Sequence, residues 1–141
     1  MPYELSRNGD RVEARVTAPD RNALFGDAVK AGLEAIYGSL PPGTALRDEV
    51  VPLQAAGRDG ATLLASLLEA LVRSALAAPG VLLPPRWLSF DADRVTATLP
   101  VAAGPQATRR LSVSVLASEG GWPSGAGSAR ILFEPEAPPQ G

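Results

Sequence analysis

The hydrophobic repeat of this chain switches from two residues to about 3.6 and back, twice, and that switching limits the fold more than any other feature. In "RVEARVTA" (11–18), Val12, Ala14 and Val16 alternate with Arg11, Glu13 and Arg15, the pattern of a strand with one buried face. The short "YELS" before it is expected to pair with it. Asp20 then offers a helix N-cap, and Phe25, Val29, Gly32, Leu33 and Ile36 fall on one helical face, with Asp27, Lys30 and Glu34 opposite. This helix should end near Gly38, ahead of "PPG". "ALRDEVVPLQAAG" (45–57) reads as a strand in which Pro52 would break a central ladder, so it belongs at an edge or carries a bulge. A second helix, Gly60 to Ala78, stacks Leu64, Leu67, Leu68, Leu71 and Ala75 on one face and sets Glu69 and Arg73 one turn apart on the other.

From Trp87 onward the repeat is two again. "WLSFDA", "DRVTATLPV" with Val95, Ala97 and Leu99 inward, and "RRLSVSVLAS" with Leu111, Val113 and Val115 inward are strands, with Asp91-Ala-Asp93 as a hairpin turn. "GGWPSGAGS" (120–128) is a glycine and serine loop leading to a last strand, "ARILFE". The predicted order is β-β-α-β-α-β-β-β-β. It describes an α+β single-domain sandwich, two helices packed on one face of a mostly antiparallel sheet, over residues 1–135, with 136–141 a disordered proline-rich tail.

Composition closes several functional classes. The 141 residues are 45% apolar and 20% charged, enough for one core. There is no histidine and no cysteine, which removes imidazole bases, Ser-His-Asp triads, zinc-thiolate sites and thiol nucleophiles. A net charge of −2, with no basic run longer than Arg109-Arg110, argues against direct nucleic-acid binding. The N-terminus is charged from Glu4 onward, and the apolar stretch 61–79 is interrupted by Ser66, Glu69, Arg73 and Ser74. The expectation is a cytoplasmic protein with no membrane association.

With its elements in this order, "YELSRNGDRVEARVTAPDRNALFGDAVKAGLEAIYGSL" resembles the start of an archease domain. The family opens with an aromatic-Glu dipeptide, a loop holding a His-Thr/Ser-Ala-Asp motif, an alternating strand and a helix of the Ala/Leu-Phe-x-x-Ala type. The helix matches through Leu24, Phe25, Ala28, Ala31, Leu33 and Ile36. "DGATLLASLLEALVRSA" stands where the family has its acidic Leu-Leu-x-x-Trp-Leu-Asn-Glu-Leu-Leu segment, and "FDADRVTATLPVAAGP" is similar to its hairpin. The likeness spans roughly residues 3 to 134. It implies a non-enzymatic accessory role, in which archeases promote guanylylation and turnover of the RtcB-type RNA ligase that seals tRNA halves, with a carboxylate metal site near the chain ends.

The polar signature of that family is thinner here. The histidine position falls near Asn8, the aspartate corresponds to Asp10, and "LFEP" puts Glu134 where the family ends on an aspartate. "YGSL" offers Gly38 and Ser39 where a further carboxylate is common, and Leu67-Leu68-Glu69-Ala70 replaces Trp-Leu-Asn-Glu. The expected site is therefore a degenerate one, Asp10 with Glu134, holding Mg²⁺ or Ca²⁺ weakly, with no catalytic residue. Trp122 is the candidate partner contact.

Two other readings stay open. One is a small carboxylate-dependent metalloenzyme of the phosphohydrolase type, using Asp10, Glu134 and Asp48 or Asp91. The other is a self-associating structural module that presents the Pro52 edge strand or the Trp122 loop. Glycines around Trp122 lack the following Lys-Ser/Thr of a phosphate cradle. Asp91 and Asp93 suit a turn, Asp48-Glu49 a solvated strand edge, Arg109-Arg110 a solvent-facing strand start, and Trp87 a place under the second helix.

Overall fold

The computed structural model describes residues 3–8, 11–37, 46–58, 60–78, 80–85, 88–91, 93–103, 111–120 and 127–135. They form β1 (Tyr3–Asn8), β2 (Arg11–Ala18), α1 (Arg21–Tyr37), β3 (Leu46–Ala56), α2 (Gly60–Ala77), β4 (Val81–Leu82), β5 (Leu88–Phe90), β6 (Arg94–Ala102), β7 (Leu111–Gly120) and β8 (Gly127–Pro135). The class is α+β, with two helices and antiparallel strands in close to the predicted order.

Two features differ from the sequence-based expectation. The strands form two sheets rather than one, β1-β2-β8-β7 and β3-β6-β4, with β5 also paired to β6. An eighth strand, β4, is added; its two residues are too few to show an alternation. β4 and β5 occupy successive stretches of the same edge of β6, through Val81↔Ala102 and Leu82↔Val101, then Leu88↔Ala97 to Phe90↔Val95. The physical reason for a second sheet lies in the helices. α2 buries Leu63, Leu64, Leu67, Leu68, Ala70, Leu71, Val72 and Ala75, which is more of its circumference than one sheet covers. Accordingly α2 packs against β7 of the first sheet and β3 and β6 of the second, while α1 packs against β1, β2 and β8 of the first and β5 of the second.

Local chemistry sets the element ends. Asp20 caps α1: its carboxylate accepts from Ala23 N at 2.8 Å and its carbonyl from Leu24 N at 3.0 Å. β5 and β6 pair as a hairpin, and Asp91 N donates to Arg94 O at 2.8 Å where the two strands meet. Pro52 lies in β3, which pairs only with β6 among the described strands; the strand changes register between Leu46 and Val50, while Pro52 itself pairs in register with Thr98, so its place on an edge strand is what accommodates it.

The core is continuous. Val12, Ala14 and Val16 from β2, Ile131 and Phe133 from β8, and Val95, Ala97, Leu99 and Val101 from β6 join the helix residues, and no polar or charged side chain is buried among the described residues. Each fully buried large side chain contributes about 1.5–3 kcal/mol through the apolar surface it withdraws from water. Phe25 on α1 meets Phe90 on β5 edge to face, ring centres 5.2 Å apart. Gly32 sits at a close approach of the layers: a Cβ there would stand 3.0 Å from Leu71 Cδ2, 3.4 Å from Leu68 Cδ2 and 3.6 Å from Phe133 Cζ. The missing side chain lets α1 sit this close to both α2 and β8, and a Cβ there would require Leu71 to give by a few tenths of an ångström.

Candidate functional site

The alternation that sends Val12, Ala14 and Val16 inward sends Arg11, Glu13 and Arg15 to the outer face of the first sheet. β8 lies antiparallel beside β2, with Glu13 opposite Leu132 and Arg15 opposite Arg130. That register brings residues distant in sequence into contact. Arg130 Nη2 donates to Glu13 Oε1 at 2.7 Å, Arg15 Nε lies 3.6 Å from Glu13 Oε2, and Arg11 Nε lies 3.1 Å from Glu134 Oε2. The hydrogen bond from Arg130 leads the causes that hold the Glu13 carboxyl below its ordinary pKa, with the nearby guanidinium charges adding to it.

Glu134 is the one residue of the expected metal pair that the structure describes; Asp10 lies outside the described residues. The pair would meet most directly if the first and last strands were neighbours; among the described strands β8 lies beside β2, and β2 separates it from β1. At Glu134, however, the charge beside the carboxylate is the Arg11 guanidinium. A guanidinium at 3.1 Å neutralises the oxygen a hard cation would use and repels the cation itself. Glu134 and Glu13, both held by arginine, therefore fit a cation poorly. Among the described residues no three acidic side chains gather in a metal-holding group.

The remaining candidates are scattered. Trp122, Trp87 and Arg109-Arg110 lie outside the described residues, as do the side chains of Asn8, Asp48 and Glu49, although the backbone of the last two belongs to β3. Asp91 and Asp93 flank the hairpin turn, and the Asp93 carbonyl accepts from Gly57 N at 2.9 Å, a backbone role. No helix among the described residues is long and apolar enough to cross a membrane.

Besides the Arg11–Glu134 pair, three contacts escaped the sequence reading. The Tyr3 hydroxyl donates to Glu34 Oε1 at 3.0 Å and ties β1 to α1. Burial, followed by this bond to a carboxylate, pushes the Tyr3 pKa up to about 12. The Tyr37 hydroxyl accepts from Leu82 N at 3.2 Å, joining the end of α1 to β4, and burial raises its pKa too. The third is the Glu13–Arg130 pair, whose members are 117 positions apart. The outward alternation of β2 marks Glu13 as exposed, but only the β2–β8 pairing supplies its partner.

Arg11, Glu13, Arg15, Arg130 and Glu134 thus make a charge-paired face on the side of the first sheet turned away from the helices. No protein-family model matches the chain, and no curated protein is similar enough to it to count as a match.

Proposed function

We propose that this chain is a divergent archease-like accessory protein, non-enzymatic, whose partner is an RtcB-type RNA ligase and whose metal site has degenerated. The observation that carries the reading is the Arg11–Glu134 ion pair, which occupies the carboxylate corresponding to the family's terminal aspartate. The burial of Leu24, Phe25, Ala28, Ala31, Leu33 and Ile36 is consistent with it, because the positions that resemble the family are those that build the core. On this reading the chain acts by contact with its partner rather than by chemistry of its own.

The test is a guanylylation assay of an RtcB-type ligase with and without the purified chain, accompanied by calorimetric titration of Mg²⁺, Mn²⁺ and Ca²⁺. The expected result is binding to the ligase and a raised guanylylation rate, with weak or no cation binding in the wild type. In the titration, Arg11→Ala should increase cation affinity by freeing Glu134, and the further changes Asp10→Ala or Glu134→Ala should abolish the gain. A chain that neither binds the ligase nor changes its rate refutes the ligase partnership. Tight cation binding by the wild type refutes the degenerate site.

A further inference from the structure

The edges of the two sheets are protected unequally. β1 carries the exposed charges Glu4 and Arg7. β3 carries Pro52 and a register shift, and β4 and β5 are two and three residues long. These are the usual devices that stop one sheet from pairing with another. β7 is protected least: from Leu111 to Ser118 it reads "LSVSVLAS", with no charge and no proline, its one such device is the bulge between Val115 and Ala117, and among the described strands it pairs only with β8. At its bulge Leu116 has no partner on β8 and is 48% exposed, one of two large apolar side chains so exposed among the described residues.

This edge borders the groove between β7 and α2, with a volume of about 620 Å³, lined by Leu111 and Val113 from the strand and by Glu69, Val72, Arg73 and Leu76 from the helix. Its charges have an arrangement that identifies an occupant. Glu69 and Arg73 are exposed, opposite in sign and four positions apart, about 6 Å along the helix. A two-fold axis normal to the sheet, passing at the β7 edge level with the middle of this pair, would set a second α2 antiparallel across the groove. Each Glu69 would then meet the other copy's Arg73. The same axis would align the second β7 antiparallel to the first, the relation in which edge backbone groups satisfy each other.

We propose that the β7 edge and the α2 groove are an isologous contact between two copies of this chain, with the β7 strands paired antiparallel and Glu69 of each copy facing Arg73 of the other. The contact would join two four-stranded sheets into one of eight strands and cover Leu116. It is independent of the ligase reading and uses neither the Pro52 edge nor the Trp122 loop.

Sedimentation velocity over a wide concentration series tests it, on the full chain and on four variants. Wild type is expected to shift from monomer to dimer with concentration. Glu69→Arg, which opposes like charges across the axis, should weaken the dimer by about tenfold or more, and so should Arg73→Glu. The double variant Glu69→Arg/Arg73→Glu should restore it, an outcome that a merely local effect on the helix would not give. Ser114→Lys, an exposed change at the edge itself, should also dissociate the dimer, with circular dichroism confirming that each variant keeps its fold. A wild type that stays monomeric throughout overturns the proposal and leaves the edge to a strand of another protein. So does a dimer indifferent to Glu69→Arg and Ser114→Lys.

Discussion

The two faces of the β1-β2-β8-β7 sheet are made from alternate residues of the same strands, yet they are held together in different ways. The inner face of Val12, Ala14, Val16, Ile131 and Phe133 is closed against the helices and almost without solvent contact. The outer face of Arg11, Glu13, Arg15, Arg130 and Glu134 is a set of ion pairs in partial contact with water. Apolar packing adds up over many contacts and depends on volume, whereas each ion pair depends on two particular residues and is screened by solvent. Stability therefore resides on the inner face, and the chemistry that distinguishes this protein on the outer one.

That division can be broken or sharpened by four substitutions. Phe133→Ala should cost the most, about 3–5 kcal/mol, because Phe133 is fully buried beneath Gly32; urea denaturation would register it as a lower midpoint. An effect no larger than that of an outer-face variant would break the comparison. Gly32→Val, which inserts atoms where a Cβ already stands 3.0 Å from Leu71, should cost about 1–3 kcal/mol in the same assay.

Tyr3→Phe comes next, at about 0.5–1 kcal/mol, since its hydrogen bond to Glu34 is only partly buried. Its signature is alkaline. The folded-state pKa of Tyr3 is raised from 10.0 to about 12, so the native state holds its proton more tightly than the unfolded state. The stability this confers is complete below pH 10 and is lost as pH rises toward 12, and denaturation midpoints in that window should fall less steeply in Tyr3→Phe than in wild type.

Glu13→Gln should have the smallest effect, with the opposite pH sense. The Glu13 carboxyl titrates below its ordinary range when folded, so its contribution is present above the unfolded-state value and is lost as pH falls through the lower folded one. Acid denaturation should show a slightly shallower loss of stability in the variant. High salt should erase the difference, whereas it should leave the Phe133→Ala deficit in place.

Much of the scaffold was legible along the chain. The Asp20 cap, both helices, the edge position of β3 around Pro52 and the β5–β6 hairpin follow from residues within a few positions of one another, where side-chain period and turn chemistry act locally. The division into two sheets was not legible, because an apolar stripe on α2 records that something covers it without recording how many layers do so. The candidate site was legible only in part. Alternation marked Arg11 and Glu13 as outward, but no local rule pairs Arg11 with Glu134 or Glu13 with Arg130.

By itself, then, the sequence determined the type of each main element and which side of it would be buried, since both depend on periodicity over one or two turns or pleats. It also excluded histidine and cysteine chemistry by their absence. Only the tertiary structure decided that a second sheet would close over the helices, that Gly32 would lie against Leu71, Leu68 and Phe133, and that the carboxylates of the outer face would be answered by arginines. The last of these depends on the register between β2 and β8, strands more than a hundred residues apart, and register is a property of how the whole core closes rather than of any segment within it.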